Sequence, residues 1–166
     1  MKTSRCSVKS KDSKKVFLEI SKRLNFNFEA LFSYKSKVEI VEVGSVKLYL
    51  VEGKPLFFEI SHLVMPTLLF DKFYSTLPHI VVDMGAVPFV CKGANIMVPG
   101  IVRVEDEFEK DALVVIIDEK HAKALAIGKS LYTSTEIRKM KQGIVIKSIH
   151  FVSDKIWNAA KALIET

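Results

Sequence analysis

The second half of the sequence consists of short apolar segments separated by turn-forming residues. Segments of this length are typical of β-strands, because a helix shows a longer periodic stretch. We predict strands at residues 80–83, 100–104, 113–117, 123–127 and 144–152. Residues 113–117 are continuously apolar, so this strand is expected to be buried on both faces. Five such strands within about 75 residues predict a small barrel or rolled sheet.

The first half combines a helix with a β-meander. Apolar residues recur at helical spacing between residues 13 and 24, which predicts an amphipathic helix with Asp12 or Ser13 as its N-cap. Pro66 suits the first position of a helix and predicts helical turns at 67–73. Runs rich in β-branched residues predict strands at 37–43, 46–51 and 56–60.

Two further helices are expected beyond residue 130. Thr133 and Glu136 have the spacing of a capping box, which predicts a helix at 136–142 that ends at Gly143 in a left-handed C-cap. An apolar stripe predicts a terminal helix at 156–164. The sequence as a whole therefore predicts an α+β protein.

Positive charge is concentrated at the start of the chain. Residues 1–23 contain eight lysines and arginines against Asp12 and Glu19, a surplus of six that equals the net charge of all 166 residues. A cationic start joined to a neutral body is typical of proteins that meet a polyanion, with nucleic acid ahead of membrane. A solvated tail is the alternative.

Several protein classes are disfavoured by the sequence. No stretch approaches the roughly 18 consecutive apolar residues of a membrane helix, and the basic N-terminus lacks the apolar core of a secretory signal. Cys6 and Cys91 form no disulfide framework, and the four histidines lack metal-ligand spacing. We therefore expect a cytoplasmic protein that uses no metal, cofactor or membrane.

No catalytic constellation emerges from the motifs. Gly128-Lys129-Ser130 resembles the end of a phosphate-binding loop, but that motif needs a glycine where Lys123 stands. Gly128 is instead expected at a bulge or close approach in a strand, with Lys129 solvated or touching a polyanion. The acidic residues between 105 and 111 are expected to form a solvated turn that faces away from RNA. Asp83 is expected to be a turn residue, and neither cysteine has a catalytic partner.

The strongest candidate site lies in residues 83–101, where glycine and proline are concentrated. Gly93 and Ala94 would let a sugar–phosphate backbone or a base lie against the main chain, and Asn95 offers a donor and an acceptor. Lysine and arginine neutralise phosphate, while methionine and proline form an apolar surface for an unstacked base. The predicted RNA-binding residues are Lys92, Gly93, Ala94, Asn95, Met97, Pro99, Gly100, Arg103 and Lys129.

A longer pattern in this region resembles a known family. The segment Gly85-Ala86-x-x-Phe89-Val90-x-x-Gly93-Ala94-Asn95-Ile96-Met97-x-Pro99-Gly100-Ile101 resembles the signature of PUA domains, the RNA-binding modules named for pseudouridine synthases and archaeosine transglycosylases. With Pro66-Thr67-Leu68, Leu77-Pro78-His79 and the stretch from Gly143 to Trp157, it is similar to the multiple-copies-in-T-cell-malignancies family of translation proteins. The similarity covers residues 66–157 and extends to that family's pre-PUA domain.

The resemblance implies a pre-PUA domain at residues 1–76 and a PUA pseudo-β-barrel at residues 77–166, without catalytic activity. Family members act at the small ribosomal subunit and contact the 3′ CCA end of tRNA during initiation or recycling. Eukaryotic members pair with density-regulated protein, so a partner of that type or another initiation factor is an expectation here. Met84-Gly85, Pro88 and the acidic connection at 105–111 depart from the eukaryotic pattern.

Three functions follow as hypotheses. The first is a non-catalytic protein that binds the tRNA 3′ end, ribosomal RNA of the small subunit, or both. The second is an enzyme of RNA modification or its accessory subunit, although residues 1–76 are too few for those catalytic folds. The third is a protein-interaction scaffold that docks through phenylalanines of the first domain, which are more simply explained as core: Phe17, Phe26, Phe28, Phe32, Phe57 and Phe58.

Overall fold

The computed structural model describes residues 2–33 and 35–165, which pack as two units. The first unit contains residues 2–70 with 158–165, and the second contains residues 71–157. Each unit has a β-sheet with helices, so the predicted α+β class is confirmed. The predicted domain boundary between residues 76 and 77 stays a prediction.

The first unit contains a five-stranded antiparallel sheet in which neighbouring strands follow one another along the chain. Its strands are β1 (Thr3–Ser7), β2 (Val38–Val43), β3 (Val46–Val51), β4 (Lys54–Ile60) and β5 (Leu63–Pro66). Helix α1 (Ser10–Leu24) buries Phe17 and Ile20. The predicted helix and meander are confirmed, but α1 begins earlier than expected and is preceded by Lys9, without a side-chain cap.

Strand β1 was not predicted, because its residues were interpreted as part of a cationic tail. All five of its residues are exposed, so no apolar alternation marks the strand. The Arg5 guanidinium instead holds it to β2, with Nε and Nη2 lying 3.1 and 3.2 Å from the two carboxylate oxygens of Glu39. Glu39 is buried, and its hydrogen bond with Arg5 keeps the pKa of this carboxyl below its usual range.

The predicted helical turns at 67–73 are only partly confirmed. Pro66 ends strand β5, where it pairs with Phe57, and only α2 (Asp71–Tyr74) is helical. The Thr67 hydroxyl donates to the Pro55 carbonyl oxygen at 2.7 Å, which fixes a turn where a helix was expected. Proline is tolerated in β5 because this strand lies at the edge of the sheet.

The phenylalanines of the first unit form its core. Phe28 and Phe57 are fully buried, with ring centroids 4.9 Å apart in an edge-to-face arrangement. Phe26 and Phe32 are half-buried and pack against Phe28 and Phe17 at 4.8 and 5.6 Å. The interpretation of these rings as core is confirmed. They are therefore not the exposed docking surface on which the protein-interaction scaffold hypothesis rested.

The second unit contains a six-stranded sheet with the order β7-β11-β10-β9-β6-β8. Its strands are β6 (His79–Val82), β7 (Ile96–Met97), β8 (Ile101–Glu105), β9 (Leu113–Asp118), β10 (Ala124–Ser130) and β11 (Ile144–Phe151). β6 and β9 are parallel, and the other neighbours are antiparallel. All five predicted strands are present, and residues 114–117 are buried as expected, whereas the two-residue β7 was not predicted.

Three more helices complete the chain: α3 (Val87–Val90), α4 (Ser134–Lys139) and α5 (Lys155–Glu165). The capping box is confirmed, because Thr133 Oγ1 accepts from the Glu136 amide and Glu136 accepts from the Thr133 amide. Gly143 is not the C-cap of α4, since the helix ends at Lys139 and Met140 is already extended. Gly143 does have a positive φ, of 104°, just before β11 begins.

The predicted role of Gly128 as a bulge or close approach is confirmed. The register of β10 with β11 shifts between Ile127 and Gly128. A Cβ atom on Gly128 would lie 2.5 Å from Ile146 Cγ2 and 2.8 Å from the Lys147 carbonyl oxygen. Glycine therefore allows the two strands to approach closely at this point.

Candidate nucleic-acid interface

Residues 83–101 connect β6 to β8 and are shaped by local hydrogen bonds. Asp83 Oδ1 accepts from the Ala86 amide at 2.8 Å, which confirms Asp83 as a turn residue. The turn leads into α3, which has Pro88 in its first turn, and the chain then passes through Ala94 and Asn95 into β7. A 3-10 turn at Val98–Gly100 completes the connection.

This connection encloses an apolar groove of about 190 Å³, which we call the Phe89–Met97 groove. Phe89 and Met97 are 65% and 52% exposed, although both are large apolar side chains. No charged side chain lines the groove, so its surface suits a flat apolar ring better than a phosphate. The lining residues are Ala86, Phe89, Val90, Ala94, Asn95, Ile96, Met97 and Gly100.

Strand β11 pairs with β7, whose two residues line the groove. Met97 and Ile96 pair with Ile144 and Ile146. The Ser148 amide donates to Asn95 Oδ1 at 3.0 Å, which orients the Asn95 side chain. This bond uses the acceptor of the Asn95 amide group, whose NH₂ donors then suit an acceptor on a ligand.

Gly93 makes a close approach to strand β11, and its predicted contact with RNA stays a prediction. Its missing side chain faces the protein, because a Cβ atom there would lie 2.7 Å from Cε1 of the Phe151 ring. Its φ of +89° is also rarely adopted by L-residues. Gly93 therefore lets the segment pack against β11, and the space beside it is filled by Phe151.

Replacing Gly93 by alanine is expected to lower the free energy of unfolding by about 2 kcal/mol, because the new Cβ meets the Phe151 ring and the positive φ becomes strained. Urea unfolding followed by circular dichroism measures this loss. Gly53→Ala is the control, since Gly53 has a similar φ of +78° but open space around it. If both variants lose the same free energy of unfolding, the clash with Phe151 does not contribute to the cost of Gly93→Ala.

The structure brings together only part of the predicted site. Ala94, Asn95, Met97 and Gly100 line the groove, whereas Lys92, Gly93, Pro99, Arg103 and Lys129 do not. Phe89 was missed, although an exposed aromatic in a stretch rich in glycine and proline is a detectable signal. The remaining missed residues, Ala86, Val90 and Ile96, become recognisable only when α3 and β7 are placed.

Two of the predicted cations have acidic partners. Arg103 Nη2 lies 2.9 Å from Glu105 Oε1, and Lys129 Nζ lies 3.5 Å from Asp111 Oδ1. Arg103 lines a second concave surface of about 220 Å³ between β8 and α4. Lys92 is exposed and lies two residues beyond the end of α3.

The acidic segment at 105–111 is largely exposed, as expected for a solvated turn, but side-chain interactions also hold it to neighbouring elements. Glu107 accepts from Ser134 Oγ at 2.8 Å and pairs with Arg138, and these two interactions lower the pKa of its carboxyl. Phe108 is buried within the same segment. Glu107 is thus held to Arg138 of α4 and Asp111 to Lys129 of β10, with Phe108 as an apolar anchor between them.

The described residues, 2–33 and 35–165, contain no group of three histidine, cysteine or acidic side chains arranged to hold a metal ion. Burial raises the pKa of the Cys91 thiol, which reduces its nucleophilic thiolate form at neutral pH. In the same part of the chain, no helix combines the length and apolarity needed to cross a bilayer.

The sequence and fold of this chain are similar to those of known proteins. Residues 78–152 match the PUA domain, and residues 4–70 match a domain of unknown function, DUF1947. An uncharacterized protein of Methanocaldococcus jannaschii is 35% identical over 88% of this chain and 93% of its own length. A PUA-domain structure from Aeropyrum pernix has the same fold, with a TM-score of 0.80, 24% identity, and coverage of 96% of this chain and 92% of that one.

Two named relatives cover both units. Translation machinery-associated protein 20 of Saccharomyces cerevisiae is 36% identical over 78% of this chain and 76% of its own length. Malignant T-cell-amplified sequence 1 of Danio rerio is 35% identical over 75% of this chain and 72% of its own length. The expected PUA pseudo-β-barrel and pre-PUA unit are thereby confirmed, and the chain belongs to the family of PUA-domain proteins that includes these two proteins.

Proposed function

We propose that this protein is a non-catalytic RNA-binding protein that acts in translation in the cytoplasm. The Phe89–Met97 groove holds an unpaired nucleotide of the tRNA 3′ acceptor end, and α1 contacts ribosomal RNA of the small subunit during initiation or recycling. The relatives' names support a role at the translation machinery. The observation that carries the proposal is the groove itself, with two large apolar side chains left exposed.

The groove has the chemistry of a base-binding surface. Phe89 presents a ring on which a base can stack, and stacking on an aromatic side chain tolerates any base. Met97, which also lines the groove, adds a polarizable sulfur. Asn95 supplies hydrogen bonds to a base edge, and Lys92 supplies positive charge for the adjoining phosphate.

A second RNA-binding surface lies on α1, whose exposed face is cationic. Lys11, Lys15 and Lys22 are exposed on this face, spaced by three to four residues with Leu18 between them. The two arginines of this region are engaged elsewhere: Arg5 pairs with Glu39, and Arg23 lies 2.5 Å from Glu19. The lysines therefore carry the positive charge that ribosomal RNA phosphate would neutralise.

A fluorescent tRNA acceptor minihelix with a single-stranded 3′-CCA end tests the groove. Phe89→Ala removes the stacking ring and is expected to weaken binding about tenfold, while Ala94→Trp fills the groove and should abolish CCA-dependent binding. Wild-type affinity should also fall with salt, because phosphate contacts release counterions. Fluorescence anisotropy measures both effects.

Val102→Ala is the matched control, because Val102 is an exposed apolar residue of β8 that does not line the groove. It should bind like wild type. A minihelix that lacks the CCA end should bind wild type and Phe89→Ala equally. If Phe89→Ala and Ala94→Trp bind the complete minihelix as wild type does, the assignment of the groove to RNA is wrong.

The absence of catalysis is part of the proposal and has its own test. The protein is incubated with unmodified tRNA, and base exchange and isotope release are measured. Either activity would favour an RNA-modifying enzyme over a binding protein.

The protein partner implied by the family resemblance would appear as a complex that survives nuclease treatment.

A further inference from the structure

Two lysines face each other on the outer surface of the second unit. Lys129 of β10 and Lys147 of β11 are direct partners in the antiparallel register, and both side chains are exposed. Like charges directly opposite each other on neighbouring strands are unfavourable. An anion placed between the two ammonium groups would remove this repulsion.

The local charges leave this lysine pair positive. Lys129 has a partial counterion in Asp111, whose Oδ1 lies 3.5 Å from Lys129 Nζ. Lys147 has no ion-pair partner within residues 2–33 and 35–165. One uncompensated positive charge therefore lies on β11.

The lysine pair lies next to the Phe89–Met97 groove. The amide of Ser148, which follows Lys147, donates to Asn95 in the groove wall at 3.0 Å. Ile96 and Ile146 pair across β7 and β11 and are buried. Because the two strands are antiparallel, Lys147, the exposed residue after Ile146, lies toward Asn95, the residue before Ile96, whereas Met97 pairs with Ile144. Since β7, β11 and β10 are neighbours, Asn95 just before β7, Lys147 on β11 and Lys129 on β10 follow one another across the sheet.

We propose that Lys147, together with Lys129, forms a phosphate subsite for the RNA phosphodiester that adjoins the nucleotide in the groove. This inference rests on the proposed function and adds a course for the RNA strand, from the groove across β11 toward β10. Strands are about 4.8 Å apart, so a lysine on each of two strands reaches a phosphate above them. Sequence reasoning missed Lys147 because its position depends on register with Lys129.

The test combines a protein variant with an altered RNA. Lys147→Gln is expected to weaken binding of the CCA minihelix about threefold and to lower the slope of log affinity against log salt by about 0.7. A second minihelix carries uncharged methylphosphonates at the linkages of its single-stranded end. Wild type and Lys147→Gln should bind this RNA equally, because the charge that Lys147 contacts has been removed.

Lys123→Gln is the matched control, since Lys123 is an exposed lysine that precedes the other end of β10. It should bind like wild type, and Lys147→Arg should retain most of the affinity. If Lys147→Gln behaves like Lys123→Gln while Phe89→Ala loses binding, the phosphate subsite is wrong and the groove stands. If Lys147→Gln weakens binding of both minihelices to the same extent, Lys147 does not contact the phosphate next to a nucleotide in the groove. The same conclusion follows if Phe89→Ala has no effect on binding of the CCA minihelix.

Discussion

Replacing Gly128 by alanine is expected to lower the free energy of unfolding by about 3 kcal/mol. The new Cβ atom would lie 2.5 Å from Ile146 Cγ2 and 2.8 Å from the Lys147 carbonyl oxygen. The side-chain clash could be relieved by a small rotation, but the carbonyl oxygen belongs to the β11 main chain. Strands β10 and β11 would have to separate in the middle of the sheet. Urea unfolding followed by circular dichroism measures the loss.

Gly85→Ala is the matched control for Gly128→Ala. It makes the same chemical change in the same unit, at an exposed glycine that lacks a positive φ. A Cβ atom there would meet only Asp83 Oδ1, at 3.3 Å, which costs much less than a main-chain clash. Similar losses of stability in the two variants would contradict the role given to the close approach of the strands.

The substitution Asp154→Ala is expected to lower the free energy of unfolding by about 3–5 kcal/mol. Asp154 Oδ2 lies 2.7 Å from Nδ1 of the fully buried His150 and accepts from the Phe151 amide at 3.0 Å. Its Oδ1 accepts from the Trp157 amide at 2.7 Å, which caps the first turn of α5. Alanine removes all three interactions at once, and His150 loses this acceptor in a buried position.

The contribution of Asp154 should depend on pH. Burial raises the pKa of Asp154, but the hydrogen bond and charge of His150 and the amides of Trp157 and Phe151 outweigh burial, so the net pKa lies below its ordinary value. A lowered pKa stabilises the fold above the unfolded pKa, about 4, and this stabilisation is lost as the pH falls through the folded value. The stability difference between wild type and Asp154→Ala should therefore shrink below about pH 4.

Asp83→Ala is a suitable control for the pH series, because Asp83 caps a turn through one short hydrogen bond to the Ala86 amide and is only half-buried. It should cost about 1 kcal/mol. Unfolding in urea is measured at intervals from pH 7 to pH 3. A difference between wild type and Asp154→Ala that grows as the pH falls would contradict the interpretation.

The elements with strong apolar patterns were predictable from the sequence. Residues 114–117 are buried in the sheet because continuous β-branched side chains fit no exposed strand. The capping box of α4 was equally clear, since Thr133 and Glu136 satisfy each other's amides locally. In both cases the segment's own residues carry the pattern that predicts its structure.

Elements held by distant partners were not predictable. Strand β1 depends on main-chain pairing and on Glu39, which is far from Arg5 in the sequence. The turn at Thr67 depends on the Pro55 carbonyl oxygen on β4. Neither partner leaves a periodic signal in the segment that it fixes.

The candidate site was predictable in location but not in detail. Glycine, proline and asparagine indicated a closely fitted segment at 83–101, and four predicted residues do line the groove. The direction of a missing side chain cannot be known from sequence, so Gly93 was assigned to the ligand when it faces Phe151. Cross-strand register likewise decides which lysines meet, and only the folded sheet reveals it.

The exposed position of β1 has a consequence for solubility. A strand at the border of a sheet offers unpaired main-chain groups that can recruit strands from other molecules. In β1 these groups are flanked by exposed polar side chains, including hydroxyl-bearing residues and Arg5 in its ion pair with Glu39, and polar side chains disfavour such recruitment. Without it, β2 would form the border, and its Val38 and Val41 would stand next to open hydrogen-bonding groups. Strand β1 therefore lowers the tendency of this sheet edge to aggregate.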